Sequence, residues 1–151
     1  VQQIEYNYKP LLIDKSITFE NSVSKNIFIF VDLDSLKIVL RNLLDNAIKF
    51  SFENNKVDVL AKNDTIIIRD YGIGINEKDL PHIFERFYKT HGEHNKVGTG
   101  LGLAIAKQIA ERHNIELIAQ NNFDGGAKFI FKIPLKKKKK DIILTKSLAT
   151  I

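Results

Sequence analysis

The sequence predicts an α+β fold, a two-layer sandwich with helices on one face of a mixed, mostly antiparallel sheet. Two stretches carry apolar residues at helical spacing, and several short runs of β-forming residues are separated by turn residues. A chain of 151 residues fits one domain with a single core. Short strands joined by tight turns, together with a few amphipathic helices, are typical of a sheet that is covered on one side.

The first half of the chain is expected to hold strands around one amphipathic helix. This helix opens at Ser35, with Asp32 or Asp34 as its cap, and closes at Phe50. The strands expected in this half are residues 17–20, 27–31, 56–61 and 65–69. The last two flank a turn and predict a hairpin.

The second half is expected to alternate helices with loops and to end in two strands. A short helix is expected from Glu77 to Phe84, and a polar segment at 88–97 lacks an apolar period and predicts a mobile loop. The last elements are a helix from Leu103 to His113 and strands at 115–120 and 127–133. One body, residues 1–135, and a lysine-rich tail, residues 136–151, are therefore expected.

The composition excludes several classes of protein. The chain has no cysteine, so it has neither a disulfide framework nor a thiolate metal site. It contains no apolar run of membrane-spanning length and no signal-peptide pattern. It also has no methionine, and we interpret it as a piece of a longer protein.

The net charge of +5 belongs to the tail. The tail holds six lysines and one aspartate, so the body has 17 basic and 17 acidic side chains. A neutral body gives little support to nucleic-acid binding. The lysine run is interpreted as a solvated charge run, with attraction to anionic lipids as the alternative.

Asn42, Asn46 and Lys49 share one face of the first amphipathic helix. A solvated helix face is the ordinary interpretation. Asparagine is a poor helix former, however, and solvent faces usually carry Glu, Lys or Gln. Two carboxamides followed by a cation can hold a hydrated Mg²⁺ and the phosphates that it carries.

Asp70, Gly72 and Gly74 follow directly on a strand. An aspartate in this place can accept a hydrogen bond from the exocyclic amine of adenine, and glycines let the backbone approach a flat base. An ordinary turn is the alternative, because Asp and Gly are common turn residues.

Gly98, Gly100 and Gly102 lead into the second amphipathic helix. Exposed amides at a helix N-terminus make an anion site that suits a polyphosphate. A Walker loop is excluded because no Gly-Lys-Ser/Thr is present, and a dinucleotide fingerprint is excluded because Ile105 stands at its third glycine. A flexible hinge is the structural alternative.

Phe84 and Phe87 flank Arg86 just before the polar segment. The aromatic rings can anchor the hinge of the loop while Arg86 reaches a γ-phosphate, since arginine stabilises the charge of phosphoryl transfer. An ordinary surface arginine is the alternative.

These motifs, in this order, closely resemble the catalytic, ATP-binding domain of sensor histidine kinases of two-component systems. The resemblance runs from about residue 1 to residue 135. The four segments that carry it resemble the N, G1, F and G2 boxes of that family and are residues 42–50, 70–74, 84–87 and 98–103.

The resemblance implies the Bergerat (GHKL) fold, which gyrase and MutL ATPases share, with a mobile lid over ATP. It implies that Asn46 and Asn42 approach Mg²⁺, that Asp70 binds adenine, and that Lys49 and Arg86 face phosphates. The catalytic residues implied are thus Asn42, Asn46, Lys49 and Arg86. The residues implied to contact the nucleotide are Asn42, Asn46, Lys49, Phe50, Asp70, Gly72, Gly74, Ile75, Arg86, Thr99, Gly100, Leu101, Gly102 and Leu103.

Asn42 stands where the ATPase relatives place the glutamate that activates water. An asparagine cannot accept a proton at neutral pH, so rapid hydrolysis is disfavoured and transfer to an acceptor is favoured. The expected acceptor is a histidine on a separate dimerisation domain, and a response regulator acts downstream. A serine kinase or an ATPase of the same fold, and a nucleotide-binding module without turnover, stay open as alternatives.

The resemblance also implies a location and an oligomeric state. The domain is expected on the cytoplasmic side of the membrane that holds the parent protein. The isolated fragment is expected to be monomeric, because the family dimerises through the other domain.

Overall fold

The computed structural model describes residues 2–23, 32–90 and 98–133. Within these residues the chain forms three helices and five strands, and the expected α+β sandwich is confirmed. The elements, in chain order, are α1 (Gln2–Asp14), β1 (Thr18–Val23), α2 (Leu33–Phe50), β2 (Lys56–Lys62), β3 (Thr65–Asp70), α3 (Gly102–Arg112), β4 (Glu116–Asn121) and β5 (Ala127–Lys132).

The sheet has the strand order β1-β2-β3-β5-β4. β1 pairs in parallel with β2, and the three other pairings are antiparallel. A parallel pair needs a crossover connection, and α2 lies in that connection. The expected hairpin is confirmed, since β2 and β3 pair from Val57 with Asp70 to Lys62 with Thr65. β4 is left at one edge of the sheet.

The core lies between the sheet and the helices. Alternate residues of β2, β3 and β5 are buried, as a sheet covered on one face requires: they are Val57, Val59, Ile66, Ile68, Phe129 and Phe131. Helix α2 supplies the facing layer through Leu36, Val39, Leu40, Leu43, Leu44, Ala47 and Ile48. Its polar face is therefore turned away from the sheet, toward α3 and the loops.

Helix α2 begins at Leu33, two residues before the predicted Ser35, and it has one of the two predicted caps. Asp32 is its N-cap, and the Asp32 carboxylate accepts a hydrogen bond of 2.8 Å from the Ser35 amide. The N–H of Ser51 closes the helix on the carbonyl of Ala47. Of the two predicted caps, Asp32 therefore caps α2 and Asp34 does not.

Two expectations differ from the structure. The prediction of a helix from Glu77 to Phe84 is wrong. This segment is a run of turns, in which some amides bond to the carbonyl three residues earlier and others to the carbonyl four residues earlier. Pro81 has no N–H, which interrupts a regular ladder at this point. Conversely, helix α1 was not expected, because it contains Pro10 and has no strong apolar stripe.

Three expected features lie outside the described residues. They are the strand at 27–31, most of the polar segment at 88–97, and the lysine-rich tail. These expectations stay predictions.

Candidate functional site

An open cavity of about 820 Å³ lies beside the polar face of α2. This volume falls in the range of small-molecule sites. Helix α2, the segment after β3, the run of turns, the start of α3 and the start of β5 all contribute to its wall. The lining residues that the sequence predicted are Asn42, Asn46, Lys49, Phe50, Asp70, Gly74, Ile75, Thr99, Gly100, Gly102 and Leu103.

Three predicted site residues do not line this cavity: Gly72, Leu101 and Arg86. Gly72 is buried beneath the wall, and Leu101 is the N-cap residue of α3. Arg86 is exposed, and its guanidinium donates to the side-chain oxygen of Gln108 on α3 at 3.3 Å. The structure does not bring Arg86 to the cavity.

The carboxamides of Asn42 and Asn46 are oriented by their own helix. Asn42 Nδ2 donates to the carbonyl of Ile38 at 3.0 Å, and Asn46 Nδ2 donates to the carbonyl of Asn42 at 2.7 Å. Because the nitrogen ends bond back along α2, the oxygen ends are the atoms that face a ligand. Oxygen is the donor type that Mg²⁺ prefers.

The start of α3 lies directly against this oxygen face. A Cβ built on Gly102 would come within 2.8 Å of Asn42 Oδ1, so only glycine fits there without displacing the asparagine. No side chain of the described residues caps α3 at Leu101, and its first turn has no acidic residue. Leucine is a poor N-cap. The unbonded amides of this turn therefore remain for an anion.

Lys49 lies at the C-terminal end of the same polar face. Its ammonium is 4.7 Å from the centre of the Phe50 ring, and a Cβ on Gly98 would lie 3.5 Å from it. The pKa of Lys49 is lowered, first by burial and then by the positive charges of Lys89 and Lys15. Lys49 and Lys89 both line the cavity, and two cations there favour a ligand with several negative charges.

Asp70 is the buried acid of the site, with a relative exposure of 3%. Its Oδ1 accepts hydrogen bonds from the amides of Gly72 at 3.1 Å and Ala127 at 3.0 Å. Burial raises the pKa of Asp70, and the bonds from Ala127 and Gly72 oppose this rise. One oxygen is thus held by the backbone, and Oδ2 is the atom that can accept a donor from a ligand.

The two glycines after Asp70 serve different purposes. A Cβ on Gly72 would lie 1.8 Å from the carbonyl oxygen of Phe50, and Gly72 forms an isolated β-bridge with Ser51. Gly72 thus lets the loop touch the end of α2, and the predicted contact of Gly72 with a flat base stays a prediction. Gly74 has φ of +72°, a conformation that L side chains rarely adopt.

The two phenylalanines beside Arg86 differ in burial. Phe84 packs against the core, with the Lys107 ammonium 5.4 Å from the centre of its ring. Phe87 is 71% exposed, and its amide donates to the carbonyl of Gly100 at 2.9 Å. Only the first ring anchors this segment through burial, while Phe87 joins it to the glycine-rich segment through its backbone.

Several residues of the site were not predicted. Asp45, Lys78, Asp79, Tyr88 and Lys89 line the cavity. Tyr88 donates to Asp79 at 2.7 Å across nine residues of chain. Contacts between irregular segments leave no periodic signal in a sequence, so pattern analysis could not find them.

Comparison with known proteins identifies the family. A model described as histidine kinase-, DNA gyrase B- and HSP90-like ATPase matches residues 31–137, which is more than half of the chain. The chain belongs to this family.

Sensor histidine kinases are among its relatives. WalK of Bacillus subtilis (strain 168) is 33% identical over 129 residues, which cover 80% of this chain and 21% of that protein. YkoH of the same organism is 44% identical over 97 residues, which cover 62% of this chain and 21% of that protein. The chain thus spans about a fifth of the length of these curated relatives.

Solved structures of the family share the fold. The mycobacterial sensor histidine kinase MprB is 27% identical with a TM-score of 0.74, over 87% of this chain and 92% of that chain. The catalytic domain of the histidine kinase ThkA is 27% identical with a TM-score of 0.73, over 88% of each chain. The chain therefore corresponds to the catalytic, ATP-binding domain of histidine kinases. None of its described helices is long and apolar enough to cross a membrane.

Proposed function

We propose that the chain binds Mg·ATP in the cavity and donates the γ-phosphoryl group to a histidine on a separate dimerisation domain. This proposal is based on one observation: three features line the same cavity. These are the buried Asp70 carboxylate, the oxygen face of Asn42 and Asn46, and the uncapped start of α3. The acid suits an adenine amine, and the other two suit a metal-bound polyphosphate.

The donor set fits Mg²⁺. The described residues contain no cluster of His, Cys, Asp or Glu that could hold a metal ion by itself. Mg²⁺ keeps several waters and is commonly held by one or two protein oxygens together with substrate phosphates. Asn46 and Asn42 would supply the protein oxygens, and the metal would neutralise charge on the phosphates.

One acid of the cavity lining, Asp45, already has a hydrogen-bond partner. Asp45 accepts a hydrogen bond from the Tyr8 hydroxyl of α1, and Asn42 has no basic atom with which to activate water. Transfer to an imidazole, which is a good nucleophile without help, is therefore favoured over hydrolysis. Lys49 would hold a phosphate as a point charge, and positioning would supply most of the catalysis.

The remaining parts of the proposal concern the parent protein. Residues 1–135 would act as the catalytic domain and residues 136–151 as a separate tail. The parent would lie in a membrane, with this domain in the cytoplasm, and would pass the phosphoryl group to a response regulator. Arg86 remains a proposed γ-phosphate contact, which would require it to leave Gln108.

The test is phosphoryl transfer in a mixture. The full chain is incubated with γ-labelled ATP, Mg²⁺ and the phosphoacceptor domain of the parent, and acid-labile phosphohistidine is measured. We expect label on the acceptor with the wild-type chain and with the surface control Asp34→Asn, and none with Asp70→Asn. Nucleotide binding without label would indicate a binding module, and steady hydrolysis without an acceptor would indicate an ATPase.

A further inference from the structure

The end of strand β4 is joined by hydrogen bonds to the loop that follows Asp70. Asn121 Oδ1 accepts from the amide of Ile75 at 2.8 Å, and Asn121 Nδ2 donates to the carbonyl of Ile75 at 2.6 Å. Asn122 Nδ2 donates to the carbonyl of Asp70 at 3.1 Å. Asn121, the last residue of β4, thus holds the loop at Ile75, and Asn122, the next residue, holds the end of β3.

The carboxamide of Asn121 acts like one residue of an added strand. It pairs with both the N–H and the C=O of Ile75, as a neighbouring strand would. Gly74 suits this contact, because its φ of +72° favours glycine and a Cβ there would lie 3.1 Å from Asn121 Oδ1, which is a tight distance. The second glycine of the Asp70 motif is therefore fitted to an asparagine side chain.

The loop that Asn121 holds forms one wall of the cavity. Its residues 73–76 line the cavity, and they follow the acid that we propose binds adenine. Ile73 is 53% exposed, so burial does little to fix that part of the loop. Ile75 packs against the core, and the hydrogen bonds from Asn121 add to this packing in ordering the loop.

We propose that Asn121 is a positioning residue for the base side of the nucleotide site, an inference that rests on the proposed function. It acts through the backbone of Ile75, and within the described part of the chain its side chain forms no hydrogen bond with a proposed phosphate-binding residue. Its loss weakens the binding of ligands that carry a base and leaves the phosphate side intact.

The test measures two ligands on the full chain. ADP with Mg²⁺ probes both sides of the site, and inorganic tripolyphosphate with Mg²⁺ probes the phosphate side alone. Dissociation constants are measured by calorimetry for wild type, Asn121→Ala and Asn121→Ser, with Gln120→Ala as the control from the same strand. Exchange of the Ile75 amide with solvent is followed by NMR.

We expect Asn121→Ala to weaken ADP binding by about fivefold to thirtyfold, the loss of one to two net hydrogen bonds. Asn121→Ser should weaken it as well, because serine is too short to reach both atoms of Ile75. Tripolyphosphate affinity and the Gln120→Ala control should stay within about twofold of wild type, and exchange of the Ile75 amide should accelerate in both Asn121 variants.

Two results would overturn the inference while leaving the proposed function intact. One is an ADP affinity in Asn121→Ala equal to that of wild type, and the other is an equal loss of ADP and tripolyphosphate binding. Failure of wild type to bind ADP would instead overturn the proposed function, and the inference with it.

Discussion

Asp70 holds two backbone amides, and we propose that the same side chain binds the ligand. Its Oδ1 holds two backbone amides, while burial makes its ionised form costly. A carboxylate in this state is preorganised to accept a donor from a ligand, because its position is fixed before the ligand arrives. A buried carboxylate is costly to ionise, and its presence in the cavity therefore indicates a function beyond packing.

Asp70→Asn is expected to separate the two tasks. The asparagine oxygen can still accept from Gly72 and Ala127, so the apo protein should keep its unfolding midpoint within a few degrees. The amide nitrogen of the asparagine, however, would face the exocyclic amine of adenine, so that two hydrogen-bond donors would oppose each other with no acceptor between them. ADP affinity measured by calorimetry should fall by about 100-fold or more. Unchanged affinity would contradict the adenine assignment.

The raised pKa of Asp70 predicts opposite pH trends for binding and for stability. The nucleotide needs the ionised form, so affinity should fall on acidification, beginning above the pH at which an ordinary aspartate titrates. The apo fold, by contrast, is destabilised by ionised Asp70, so this residue's contribution to stability should improve as pH falls through its folded pKa.

The pH trends are measured as ADP affinity and as urea midpoint between neutral pH and mild acid. Asp70→Asn serves as the reference, because titration of the nucleotide phosphates and of other groups is common to both proteins. Parallel curves for the two proteins would refute the assignment of the titration to Asp70.

At the scale of elements, helix α2 is held at its C-terminal end by a residue from the α1–β1 connection. Lys15 Nζ donates to the carbonyls of Ile48 and Lys49, both at 3.0 Å. A cation at this end also interacts favourably with the helix dipole. Lys15 therefore fixes the turn of α2 that carries Lys49.

Lys15→Met keeps the apolar stem and removes both hydrogen bonds. We expect a loss of about 1–2 kcal/mol of folding free energy, which corresponds to a fall of about 2–8 °C in the thermal midpoint. Lys37→Met, on the exposed side of α2, is the matched control and should change the midpoint little. Equal midpoints for the two variants would show that the bonds to α2 contribute nothing.

At the scale of the whole molecule, the site is assembled from both layers of the sandwich. Helix α2 supplies the proposed metal face, β3 supplies the acid, and α3 supplies the amides. A ligand that bridges these elements should stabilise the whole fold. With Mg·ADP at 100 times its dissociation constant, linkage gives about 2.7 kcal/mol.

Differential scanning calorimetry should therefore show the midpoint rising by about 5–10 °C with saturating Mg·ADP. The rise should be largely absent in Asp70→Asn at the same ligand concentration. A midpoint that does not depend on nucleotide would mean that the cavity is not the site of binding.

The elements and motifs that depend on short-range patterns could be predicted from the sequence. Local sequence patterns of a few residues predict helix α2, the β2–β3 hairpin and the motif around Asp70. The contacts between these elements could not be predicted from the sequence. The Asn121–Ile75 pair spans 46 residues, and an asparagine before a turn resembles an ordinary turn residue.

The bridge between Gly72 and Ser51 has a consequence for ligand binding. It joins the loop after the proposed base-binding acid to the end of the helix that carries the proposed metal face, and it does so through backbone atoms. Because this connection is made by main-chain atoms, we expect side-chain replacements around the cavity to leave it in place while they change how tightly a nucleotide is held.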